Sequence, residues 1–113
     1  MTAALENQIE TGGMQRIFEA LASTTRRKIL AYLSHASLTA GQIADRFDMT
    51  KPSISQHLGV LENAGLVRKK KRGQFIHYSI VQESLTNTLN GFIQDVCPVW
   101  RPLKNESAEL GKS

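Results

Sequence analysis

Cysteine is nearly absent: the single residue, Cys97, has no partner for an internal disulfide, and no Cys-x-x-Cys pair exists to start a zinc site. Long apolar runs are missing too, and no stretch approaches the roughly 20 residues that a membrane-spanning helix needs. The opening residues Met1 to Gly13 are polar and carry Glu6 and Glu10. They do not resemble a secretory signal, with its basic start and apolar middle, so the expectation is a cytoplasmic protein without a membrane partner. The chain has 3 prolines, and each punctuates a helix: Pro52 in a first turn, Pro98 and Pro102 after a last one. No serine or cysteine stands with a base in a nucleophile motif, and no glycine-rich phosphate loop follows a strand. Enzyme chemistry and a bound cofactor are therefore not expected.

The 113 residues have room for one domain, and a hydrophobic content of 41% suits a packed core. A chain this short leaves much apolar surface uncovered unless it pairs with another copy. Its formal net charge is +4 and the excess is clustered, in Arg26-Arg27-Lys28 and in Arg68-Lys69-Lys70-Lys71-Arg72. Either run alone is as readily a solvated face as a site. Together they suggest a polyanionic partner, most simply nucleic acid.

Residues 1–13 read as an arm ending in the breaker Gly12-Gly13. From Met14 the spacing of Met14, Ile17, Phe18 and Leu21 is helical. Ser23, Thr24 or Thr25 caps a second helix carrying Ile29, Leu30 and Leu33 and ending near His35. Thr39 caps a short third helix, with Ile43, Ala44 and Phe47 inward. After the turn Asp48-Met49, Thr50 caps a fourth, which buries Ile54, Leu58 and Leu61 and stops near Ala64-Gly65. The period then shortens to two. Leu66-Val67 opens one strand, Phe75 to Ile80 forms another, and Lys71-Arg72-Gly73-Gln74 turns between them. A last helix runs from about Gln82 to Val96 with the stripe Leu85, Leu89, Phe92, Ile93 and Val96. Residues 98–113 form a tail. The class is mainly α with a small β-hairpin, in the order helix-helix-helix-helix-hairpin-helix, over a domain of residues 14–97.

Two short helices joined by a tight turn make a helix-turn-helix, whose second helix can enter a DNA major groove. The outer side of that helix carries Lys51, Ser53, Ser55, Gln56, Gly59 and Asn63, all without bulky apolar groups. Gln56 suits an adenine edge, because its amide can pair bidentately there, and Ser53 and Ser55 suit a base or a phosphate. Thr50 and Lys51 lie at the helix N-terminus, where free N–H groups and the dipole favour phosphate. Thr39 holds the same place on the preceding helix. His57 on the flank reads as a phosphate contact or a packing residue. The hairpin forms a wing whose Lys69, Lys70, Lys71, Arg72 and Gln74 reach the backbone or the adjacent minor groove, with alternation sending only part of them to one face.

These segments resemble the ArsR family of bacterial repressors. The resemblance lies in Thr24-Thr25-Arg26-Arg27-Lys28-Ile29-Leu30 and Leu38-Thr39-Ala40-Gly41-Gln42-Ile43-Ala44, then in Thr50 to Leu58 with Leu61 to Val67, and in Lys71 to Tyr78. It covers roughly residues 14–97 and implies a homodimer that binds an inverted repeat in duplex DNA and blocks transcription until a signal releases it. The family's metal ligands do not match. Gln42-Ile43-Ala44-Asp45 holds no Cys-x-Cys, and the last helix offers Asn87, Asn90, Gln94 and Asp95 without histidine. The expectation is a metal-independent repressor, regulated by autorepression, a partner or an unknown small molecule, with a metal- or thiol-responsive derepressor as the alternative.

The dimer surface is expected on the two terminal helices, from Met14, Ile17, Phe18 and Leu21 and from Leu85, Leu89, Phe92, Ile93 and Val96. Trp100, with Val99 and Leu103, reads as packing over that seam or as a wall of a small-molecule pocket. Cys97 reads as a small packed hydrophobe, or as a thiol sensor that makes the repressor redox-responsive. His77 reads as structural and His35 as an exposed cap. Of Arg26 and Arg27, one is expected on a carboxylate and the other on the DNA backbone. The rival to a DNA reader is a winged-helix domain that binds protein, which needs an apolar or acidic outer face on the fourth helix.

Overall fold

Ile17 and Ala20 lie one turn apart on the first helix, α1 (Gly12–Leu21), and both are buried, as expected of an amphipathic helix docked on a core. The computed structural model describes residues 12–97. Gly12 and Gly13 form the first turn of α1 and do not precede it. Glycine costs a helix about 1 kcal/mol against alanine but does not forbid it, and packing of the apolar face outweighs that cost. The remainder of the N-terminal arm, and the tail with Val99, Trp100 and Leu103, lie outside the described residues.

Ser23 caps α2 (Thr24–Leu33), its hydroxyl accepting the Arg26 N–H, and the helix buries Ile29, Leu30 and Leu33. It ends at Leu33, with Ser34 as C-cap, slightly before His35. Leu38–Thr39 form a short strand, β1, which the sequence pattern does not suggest. Thr39 also starts α3 (Ala40–Ala44) through a capping box, in which its Oγ1 accepts the Gln42 N–H and Gln42 Oε1 accepts the Thr39 N–H. α3 stops at Ala44, and tight turns carry the chain on, with Arg46 N–H bonded to Ile43 O and Phe47 N–H to Ala44 O. Phe47 still packs on the core, edge-on to Tyr32 with ring centroids 5.6 Å apart.

Thr50 caps α4 (Lys51–Asn63), Pro52 fits its first turn, and Ile54, Leu58 and Leu61 are fully buried. Each such side chain contributes about 1.5–3 kcal/mol by leaving water. The helix closes in a Schellman motif: Leu66 N–H bonds to Leu61 O and Gly65 N–H to Glu62 O, while Gly65 takes φ 75°. This leads into β2 (Val67–Arg72) and β3 (Phe75–Ile80). Arg72 pairs with Phe75 across a two-residue loop in which Gly73 has φ 62° and Gln74 does not have positive φ, the signature of a type II′ turn. The antiparallel sheet has three strands in the order β1-β3-β2, one more than the hairpin alone, with Leu38 opposite Tyr78 and Thr39 opposite His77.

α5 (Gln82–Val96) follows β3 and is the last element of the described chain. Leu85 and Leu89 are half-buried, whereas Phe92, Ile93 and Val96 are 42%, 48% and 58% exposed, so the far half of its apolar stripe lacks cover among the described residues. Phe92 meets α1 through an edge contact with Phe18, ring centroids 5.1 Å apart. The whole is a winged helix-turn-helix, mainly helical, with α3 and α4 forming the helix-turn-helix and β2-β3 the wing.

Candidate nucleic-acid interface

Three chain segments border one cleft: the N-terminus of α3, the N-terminus of α4 and the tip of the wing. Thr39, Lys51, Ser55, Gln74, Phe75 and Tyr78 are among its walls. Four of these, Thr39, Lys51, Ser55 and Gln74, are site candidates of the sequence, brought together from three separate segments. The hydroxyls of the two caps are already engaged. Thr39 caps α3 as above, and Thr50 Oγ1 accepts the Ser53 N–H at 3.3 Å and donates to Ser53 Oγ at 3.2 Å. With Ser53 N–H capped, Ile54 N–H bonded to Thr50 O and no N–H on Pro52, the α4 terminus offers an anion chiefly its positive dipole end and exposed Lys51.

Farther along α4, Ser55, Gln56 and Asn63 carry the outer face, and Gly59 lies on the Gln56 side one turn on. An alanine Cβ at Gly59 would meet nothing within 4 Å, so packing does not require the glycine. The outer face is mostly small and polar, as the sequence implies, but Val60 interrupts it, 39% exposed one turn on from Gln56. His57 lies apart from the cleft. It is half-buried on the flank toward α1 and α2, where Arg26 Nη1 stands 3.3 Å from its Nδ1.

Strand pairing sorts the cations of the wing. Val67 faces Ile80, Lys69 faces Tyr78 and Lys71 faces Ile76 on one side of the ribbon; Arg68, Lys70 and Arg72 lie on the other, opposite Ser79, His77 and Phe75. Because Val67, Tyr78 and Ile80 pack on the core, Lys69 and Lys71 occupy the face turned toward the helices. Lys69 Nζ lies 3.6 Å from Glu62 Oε1 of α4. All five cations are exposed.

Several positions differ from expectation. Ile17, assigned by its spacing to a dimer surface, is buried in the core of its own chain, because periodicity defines a face without saying what covers it. Of the remaining members of the two stripes, Met14, Phe18, Leu21, Leu85 and Leu89 are half-buried and Phe92, Ile93 and Val96 are exposed. Cys97 is exposed at the end of α5, not packed, since nothing described covers that turn. Neither Arg26 nor Arg27 pairs with a carboxylate among the described residues. Both donate to carbonyls at the end of α1, Arg26 to those of Ala20 and Glu19 and Arg27 to that of Leu21. Sequence reasoning misses the apolar wing tip, Phe75 and Ile76, which are 56% and 43% exposed. The signal is present: residues that follow a two-residue turn have no second layer over them. Among the described residues no three His, Cys, Asp or Glu side chains come together as a metal donor set.

Residues 23–69, from the α2 cap into β2, match the family described as bacterial regulatory protein, arsR family. The chain is 43% identical over 77 residues to the transcriptional repressor SdpR of Bacillus subtilis (strain 168), a match spanning 68% of this chain and 86% of that protein. Its fold is similar to that of an ArsR-like transcriptional regulator from Rhodococcus sp. RHA1, with a TM-score of 0.73 at 27% identity over 89% of this chain and 93% of the other. A homodimeric winged helix-turn-helix DNA-binding domain from Mycobacterium bovis gives a TM-score of 0.62 at 28% identity, covering 87% and 85% of the two chains.

Proposed function

The chain belongs to the arsR family of bacterial regulatory proteins, and from that premise we propose a cytoplasmic repressor that binds an inverted-repeat operator as a homodimer. The observation that carries this reading is the cleft itself. It joins the N-terminus of α4, with Lys51 and Ser55, to Thr39 at the start of α3 and to Gln74 at the tip of the wing, and the wing's exposed cations and Gln56 lie outside its walls, an arrangement suited to phosphate, major-groove and minor-groove contacts. Gln56 reads a base, and Ser53 and Ser55 assist. Thr39, Thr50, Lys51, His57, Lys69, Lys71, Arg72 and Gln74 hold the sugar-phosphate backbone.

A second copy covers the bare half of α5. Ile93 and Val96, with Phe18, Phe92, Leu85, Leu89, Leu21 and Met14 around them, form an isologous seam between α1 and α5 of the two chains. Two recognition helices then fall about one DNA turn, roughly 34–36 Å, apart. Among the described residues no donor set fits the family's metal sites, and the releasing signal in this reading is a partner or a small molecule other than a metal. A thiol response is the second reading, because Cys97 is exposed next to the proposed seam; intact-mass analysis after oxidation would show a Cys97–Cys97 bridge between two chains.

Selection of bound sequences from a random duplex pool at physiological salt tests the main reading. A two-fold symmetric consensus is expected. Enrichment of an asymmetric sequence, or of none, overturns it.

A further inference from the structure

The guanidinium of Arg26 joins three elements. Its Nε donates to Ala20 O at 2.8 Å and its Nη2 to Glu19 O at 3.0 Å, which closes the C-terminus of α1, while Nη1 lies 3.3 Å from His57 Nδ1 on α4. Arginine carries donors only and keeps its charge, so the imidazole nitrogen facing it must accept. The proton of neutral His57 is then on Nε2, at the opposite edge of the ring. That N–H has no partner among the described residues, and His57 is only half-buried.

We infer that Arg26 is a positioning residue that fixes His57 as the Nε2–H tautomer and aims this N–H off the flank of α4 at the DNA sugar-phosphate backbone. The inference rests on the DNA-binding reading above. Three of the five Arg26 N–H donors are engaged, by Ala20, Glu19 and His57, and these hold the guanidinium against α1 and α4. Arg26 acts through the histidine, as an orienting group sets which imidazole nitrogen is left to work. It also makes the pose of a recognition-helix side chain depend on the end of α1, the helix proposed for the dimer seam.

The tautomer is read without DNA. In a long-range ¹H–¹⁵N spectrum at mildly alkaline pH, His57 is expected as the Nε2–H form with unprotonated Nδ1, and a proton on Nδ1 overturns the assignment. Binding is read by fluorescence anisotropy on the duplex recovered from the selection. His57→Ala and Arg26→Gln are each expected to weaken binding by about tenfold or more, the worth of a hydrogen bond to a charged group. The double variant is expected to lose no more than the worse single one, and additive losses overturn the coupling. Because Arg26→Gln also removes the bonds to α1, two variants that spare them complete the test. His57→Gln, whose amide N–H reaches the Nε2 position, is expected to keep most of the affinity. His57→Asn, whose shorter amide can place its oxygen near Nδ1 but no N–H at the Nε2 position, is expected to behave like His57→Ala, and the reverse order overturns the proposal. If the unaltered protein ignores duplex DNA, the DNA reading falls and takes this one with it; if it binds and the variants are additive, only this one falls.

Discussion

Lys69 on the wing and Glu62 on the recognition helix form an ion pair, Nζ to Oε1 3.6 Å, that fastens β2 to α4. The side chains keep 51% and 35% of their exposure, so water screens the pair and its contribution to stability is below about 1 kcal/mol. The larger consequence is electrostatic. Glu62 partly neutralises a cation of the wing, and Lys69 must leave it to meet a phosphate.

Glu62→Gln should therefore tighten DNA binding while leaving the melting temperature nearly unchanged. If Lys69 then gains one phosphate, the slope of log Kobs against log salt should steepen by about 0.9 per subunit. Anisotropy titrations at several salt concentrations, with a thermal melt alongside, decide it; an unchanged slope would show that Glu62 does not hold Lys69 off the backbone.

Gln56 and Lys71 separate specificity from attraction. Gln56→Ala removes a side chain suited to a base edge and should cost about 1–3 kcal/mol on the selected duplex, with relaxed preference at one position in each half-site. Lys71→Ala should weaken selected and random duplexes alike and flatten the salt slope. Competition titrations with single-base variants of the selected site check both, and a uniform loss for Gln56→Ala would remove it from the groove.

Much of this site is legible in the sequence because its signals are local. Thr50, Pro52, the Ile54-Leu58-Leu61 spacing and Gly65 mark both ends and the inner face of α4, and Gly73 marks the turn of the wing. What escapes depends on distant partners. Leu38 and Thr39 have no period to read, and they are a strand only because Tyr78 and His77 lie opposite. Arg26 reads as a DNA or carboxylate contact, yet its partner His57 is 31 positions away. The sequence pattern overextends the third helix because Phe47 packs inward from a turn as well as it would from a helix.

Two glycines with opposite backbones should respond oppositely to alanine. Gly65 holds φ 75°, a left-handed conformation that costs a side-chain-bearing residue roughly 1–2 kcal/mol, so Gly65→Ala should lower the melting temperature. Gly59 lies within α4 with open space where a Cβ would stand, so Gly59→Ala should add about 1 kcal/mol of stability. The added methyl would project beside Gln56 on the proposed groove face, and DNA binding should weaken even as the melt rises. Calorimetry with parallel binding curves separates the two effects. Gains in both would show that the backbone does not approach the duplex there.

The seam can be tested at Ile93, because it is exposed, whereas Phe92 already leans on Phe18. In a two-fold interface a residue meets its own surroundings twice, so Ile93→Glu introduces two charges at once into an apolar seam, each costing several kcal/mol if left unpaired. Sedimentation velocity should show a folded monomer with an unchanged helical circular dichroism spectrum. A monomer holds one recognition helix against one half-site and loses the gain of linked binding, so affinity for the full operator should fall on the order of a hundredfold or more. The residual binding should match that of a half-site duplex, because the groove contacts of α4 and the wing are intact. A variant that remains dimeric would move the seam off α5 and require another cover for Ile93 and Val96; a monomer with full affinity would show that each chain reads DNA alone.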